Sequence, residues 1–115
     1  MKYIIEGIEP QFKVYKTSET IKGMFYIGKT KRSLKERMNN HKSCQSYSSK
    51  YFADVGWDNV IVEIIDVAND EKELSIKEVY HIIKNLKENK DNILNRQQIC
   101  TYEAHMKPYQ IVIIL

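Results

Sequence analysis

FKVYKTSETIKGMFYIGKTKRSLKERMNNHK, residues 12–42, decides how this chain folds. Two short runs within it, FKVYK (12–16) and MFYIG (24–28), are rich in aromatic and β-branched side chains, and the polar link TSETIKG between them ends at Gly23. Such runs favour extended backbone, so a β-hairpin is predicted, with Tyr15 and Tyr26 on neighbouring strands. Beyond Gly28, Ser33 followed three residues later by Glu36 is the signature of a capped helix start. Leu34, Met38 and His41 recur on one helical face, which predicts a helix from residue 33 into the low 40s.

Further along, residues 44–51 are serine-rich and fit a loop or a helix equally well, whereas NVIVEII (59–65) reads as a largely buried strand interrupted by Glu63. Asn69 or Asp70 then starts a longer helix, in which Val79, Ile82, Ile83 and Leu86 form an apolar stripe that must pack on the sheet. QIVIIL (110–115) is too short to span a membrane and reads as a further strand pairing with residues 3–5, or else as an oligomer interface. The order β-β-α-β-α predicts an α+β fold, a small, mostly antiparallel three-stranded sheet flanked by helices, with an added C-terminal strand.

No internal repeat interrupts this order, and 115 residues suffice for one domain with its own core, so residues 1–115 are expected to form a single unit. With 43% hydrophobic and 29% charged residues but only 4 Gly and 2 Pro, the composition excludes disordered and collagen-like chains. Cys44 and Cys100 fit neither a metal spacing nor a disulfide framework. Ile4 and Ile5 are followed by Glu6 and Glu9, which leaves no signal-peptide core. The expectation is an intracellular protein, cytoplasmic or nuclear according to host, with no membrane partner.

The net charge of +3 is unremarkable, but its distribution is uneven. Residues 29–42 hold six basic side chains (Lys29, Lys31, Arg32, Lys35, Arg37, Lys42) and one acidic one (Glu36), a local +5 that leaves −2 for the rest of the chain. Concentrated positive charge is the footprint of a phosphate-binding surface, and equally of a solvated helix face.

Several residues admit two readings. Arg37 flanks the apolar stripe of the first helix, where it can make bidentate contact with a phosphate or belong to the basic face. His41 lies within that stripe as a core histidine bonded to a carbonyl, or as a proton acceptor. Tyr15 and Tyr26 are strand aromatics unless their hydroxyls take part in chemistry. Glu78 lies beside Val79 at the edge of the second helix's apolar face, where a semi-buried carboxylate wants a lysine such as Lys35 or Lys50, or a divalent cation. Asn95 suits a turn. The absence of HExxH, a Walker loop, Ser-His-Asp order and GxGxxG excludes zinc proteases, P-loop enzymes and Rossmann oxidoreductases.

KVY (13–15) and YIG (26–28), followed by GKTKRSLKERMNNH, then Glu78 in EVYHI and Asn95 in ILN, together resemble the nuclease domain of the GIY-YIG endonuclease family. The resemblance covers residues 12–95, with Lys13 standing where the family usually has Gly and Val14 where it usually has Ile. It implies a divalent-metal-dependent DNA endonuclease. Tyr15 would be the general base, Arg37 would stabilise the transition state, and Mg²⁺ or Mn²⁺ on Glu78 would neutralise the leaving 3′ oxygen. Tyr26 and His41 would assist the base, and Asn95 would position its neighbours.

Lys29, Lys31, Arg32, Lys35 and Lys42 would then contact the DNA backbone. Because a tyrosine is mostly protonated at neutral pH, the base role calls for positive charge, from Arg37, Lys29 or the metal, to lower its pKa. Twenty residues beyond Asn95 are too few for a separate DNA-reading domain, so selectivity is expected from a homodimer, a partner protein or the domain itself. A non-catalytic nucleic-acid-binding module and a protein-interaction domain on the same fold are the alternatives.

Overall fold

The computed structural model describes residues 1–95, which form a four-stranded sheet between two helical layers. In chain order the elements are β1 (Lys2–Ile4), β2 (Phe12–Glu19), β3 (Phe25–Thr30), α1 (Leu34–Ser43), α2 (Tyr47–Val55), a single 3₁₀ turn (Trp57–Asn59), β4 (Val60–Ala68) and α3 (Glu71–Glu88). The sheet order is β1-β4-β2-β3.

The predicted hairpin is present, with Tyr15 opposite Gly28 and Thr17 opposite Tyr26. Its turn is organised by Glu19, whose buried carboxylate accepts hydrogen bonds from the Lys22 and Met24 N–H groups at 2.8 and 2.9 Å. Gly23 takes the left-handed backbone (φ +74°) that ends the link. α1 begins as read, with the Ser33 hydroxyl accepting from Glu36 N–H. α3 is capped by Asp70, which accepts from Glu73 N–H.

The sheet departs from the sequence expectation in being four-stranded and mixed. Lys2–Ile4 pairs in parallel with β4, Tyr3 facing Val62, and three residues are too few to show any periodicity. The expected strand at 110–115 lies outside the described residues. The ambiguous serine-rich stretch proves to be the start of α2, where the Ser46 side chain accepts from Ser49 N–H as an N-cap. Serines that suggest a loop in sequence are here a cap and two buried helical residues, Ser48 and Ser49. Among the described residues no helix is long and apolar enough to cross a membrane.

Side chains alternate between two cores. On one face Tyr15, Tyr26, Val60 and Val62 pack with Leu34 and Met38 of α1 and Phe52 of α2. On the other, Val14, Phe25 and Ile27 meet Leu74 and Ile82 of α3. A bulge shifts the β2–β4 register between Val14 and Tyr15, which re-aims the backbone at the first tyrosine.

Candidate active site

Lys13, beside that bulge, is 1% exposed. Its ammonium donates to the Pro10 and Gln11 carbonyls at 2.7 and 3.3 Å and pairs with Glu9 at 3.3 Å. Glu9 in turn accepts the Leu34 N–H at the start of α1. A buried charge costs heavily unless it is paired and hydrogen-bonded, and these partners satisfy Lys13 locally. It thereby ties the approach to β2 to the helix that carries Arg37 and His41.

Tyr15 is fully buried, and its hydroxyl lies 2.9 Å from Nε2 of His41. The rings of Tyr15, Tyr26 and His41 form a cluster with centroids 5.4–6.5 Å apart. Gly28 makes room for it: a Cβ there would fall 2.6 Å from Tyr15 Cζ and 2.9 Å from Tyr26 Cε1. Nδ1 of His41 reaches the Ser49 hydroxyl of α2 at 3.2 Å, and Ser49 also accepts a hydrogen bond from Ser46 at 2.9 Å.

Burial raises the Tyr15 pKa, and the neighbouring Tyr26 and Glu78 raise it further, while a hydrogen bond and positive charge from Arg37 act the other way. Desolvation wins, so the phenol is proton-bearing at neutral pH: Arg37 lowers the pKa as expected of an adjacent cation, but burial outweighs it. The same environment lowers His41 from 6.5 to about 4, through burial first and Arg37 second. The imidazole is therefore neutral at pH 7 and can accept a proton.

The structure thus brings Tyr15, Tyr26, Arg37 and His41 together, with Glu78 of α3 near enough for its charge to act on the phenol. Glu78 is 3% exposed, more deeply buried than the semi-buried helix edge expected from sequence. Asn95 is placed differently. Its side-chain oxygen accepts from Ile27 N–H at 2.9 Å and its amide donates to the Ile27 carbonyl at 2.8 Å, gripping β3 between Tyr26 and Gly28.

The basic residues of 29–42 differ in their surroundings. Lys29 donates to Ser75 and Lys31 pairs with Glu71, both on α3, while Lys42 lies 5.8 Å from the centroid of the Trp57 ring. Arg32 and Lys35 are exposed. Ser49 escaped the sequence reading, although an N-cap serine at position 46 would have marked a helix start five residues after His41. Among the described residues no group of three or more His, Cys, Asp or Glu is placed to hold a metal ion.

The sequence model of the GIY-YIG catalytic domain matches residues 11–92. Neither the curated proteins nor the solved structures gave a match.

Proposed function

Since the chain belongs to the GIY-YIG family, with the catalytic domain spanning residues 11–92, we propose that it is a divalent-metal-dependent endonuclease that hydrolyses DNA phosphodiester bonds through Tyr15. The observation that carries this reading is the contact between the Tyr15 hydroxyl and the neutral imidazole of His41, 2.9 Å apart in a buried site.

A phenol with a raised pKa is a poor base alone. It serves as one when its own proton leaves as another arrives. The attacking water gives its proton to the Tyr15 oxygen while the Tyr15 O–H passes its proton to His41 Nε2, so no free phenolate need form. Arg37 is near enough for its charge to act on the Tyr15 hydroxyl, and in this reading its guanidinium stabilises the negative charge that grows on the phosphate. Tyr26 packs against both rings and holds them in register. Asn95 secures the strand that carries Tyr26, and Lys29, Lys31, Arg32, Lys35 and Lys42 neutralise DNA phosphates.

A donor set of one protein carboxylate suits Mg²⁺ or Mn²⁺, which takes most of its oxygen ligands from water and substrate, and does not suit zinc. Glu78 is the residue that would hold such an ion. When bound, the ion would offset the charge on the departing 3′ oxygen.

The test is cleavage of linear, nicked, flapped and branched DNA by purified protein with and without Mg²⁺. Glu78→Ala and Glu78→Gln should remain folded and bind DNA but not cut it. Metal-independent cleavage, or parental rates in both variants, would remove the metal role from Glu78.

A further inference from the structure

We infer that Ser49, held in turn by Ser46, is a positioning residue that fixes the imidazole tautomer of His41. The inference rests on the proton path from Tyr15 to His41 described above. A neutral histidine has one donor nitrogen and one acceptor, and a neighbouring hydrogen bond decides which is which. Nδ1 faces Ser49 Oγ at 3.2 Å and Nε2 faces Tyr15 at 2.9 Å.

The hydroxyl of Ser49 already receives the Ser46 hydroxyl proton at 2.9 Å. A hydroxyl oxygen has two acceptor sites, so the second is open to the Nδ1–H of His41. That leaves Nε2 as the acceptor facing the phenol. The reverse arrangement would send Nε2–H toward the Tyr15 oxygen and would turn the Tyr15 proton away from the imidazole beside it. Ser46 is itself fixed, because its oxygen accepts the Ser49 N–H as the N-cap of α2. The serine pair therefore uses the rigidity of a helix start to orient a ring on a different helix. Nδ1–H also keeps this partner when the proton arrives at Nε2, so the ring stays oriented in both protonation states.

Nitrogen NMR of the His41 ring in the metal-free protein reads the tautomer directly, independently of nuclease activity. The expected spectrum at neutral pH has Nδ1 protonated, and Ser49→Ala should shift population to the Nε2–H form. Ser49→Thr, which keeps the hydroxyl, should restore the parental spectrum. In cleavage assays Ser49→Ala should lower kcat roughly 10–100-fold with little change in KM, the scale found when the partner orienting a functional histidine is removed. Ser49→Thr should recover most of the rate. An Nε2–H ring in the parent, or identical spectra for the parent and Ser49→Ala, would overturn the inference. If instead His41→Ala cleaved at the parental rate, the proton path itself would fail, while the NMR result would still decide whether Ser49 sets the tautomer.

Discussion

In the proposed mechanism the Tyr15 hydroxyl is both a packing group and a reacting group. Because it is buried and bonded to His41, Tyr15→Phe leaves that ring nitrogen unsatisfied and should cost about 1–3 kcal/mol of stability. The unfolding midpoint alone therefore does not separate a structural tyrosine from a catalytic one. The single-turnover rate does: loss of proton transfer should slow cleavage by roughly 10²–10⁴-fold, and a near-parental rate would transfer the base role to another group. His41 supplies a second measurement. Its pKa is about 4 when folded against 6.5 unperturbed, so between those values the unfolded chain binds more protons. Stability contributed by the neutral ring is complete above 6.5 and is lost as the pH falls toward 4. A pH series of unfolding midpoints should show this decline, and His41→Gln should flatten it. An unchanged slope would assign the acid sensitivity elsewhere.

Within the elements, the hairpin and α1 were legible because each announces itself locally, by aromatic runs around a glycine-closed link and by a serine cap ahead of a helical stripe. That placement put Tyr15, Tyr26, Arg37 and His41 near one another, and the resemblance to the GIY-YIG family singled them out as site residues. β1 and α2 were not legible. β1 has three residues and gains its stability from pairing with β4, a partner nearly sixty positions away. α2 opens with a local serine cap, but a serine-rich stretch suits a turn as well, and the burial of Ser48 and Ser49 is set by tertiary packing. For that reason Ser49 was missed, and the bidentate grip of Asn95 on Ile27 was equally a tertiary fact. The glycine of YIG was read as part of a motif, whereas its physical duty is cross-strand: it faces Tyr15 in the ladder. Gly28→Ala should force the Tyr15 and Tyr26 rings aside, at about the 1–3 kcal/mol typical of overpacking, and separate the phenol from His41. Thermal unfolding and cleavage should fall together. A variant as stable and as active as the parent would show that the ladder yields easily, and that Gly28 does not set the ring positions.

At the scale of the molecule, the side chains of the basic segment meet different surroundings. Arg37 turns toward Tyr15, Lys29 and Lys31 lean on α3, and Lys35 remains exposed on α1. The Lys31–Glu71 pair is solvent-exposed on both sides, and such pairs contribute so little that a phosphate can displace the carboxylate. Two kinds of positive charge should therefore separate experimentally. Lys35→Ala removes a group that, in the proposed function, only neutralises backbone phosphate. It should weaken binding modestly, reduce the slope of log affinity against log salt by roughly 0.9 for each duplex phosphate no longer neutralised, and leave the cleavage rate of bound DNA unchanged. Arg37→Ala should do the opposite, since an interaction that strengthens as charge develops on the phosphate appears in the chemical step rather than in ground-state binding. Its salt slope and affinity should stay near parental while single-turnover cleavage collapses. If Arg37→Ala instead lost affinity in proportion to Lys35→Ala and cut bound DNA at the parental rate, Arg37 would be one more member of the basic surface, and stabilisation of the transition state would have to come from elsewhere in the site.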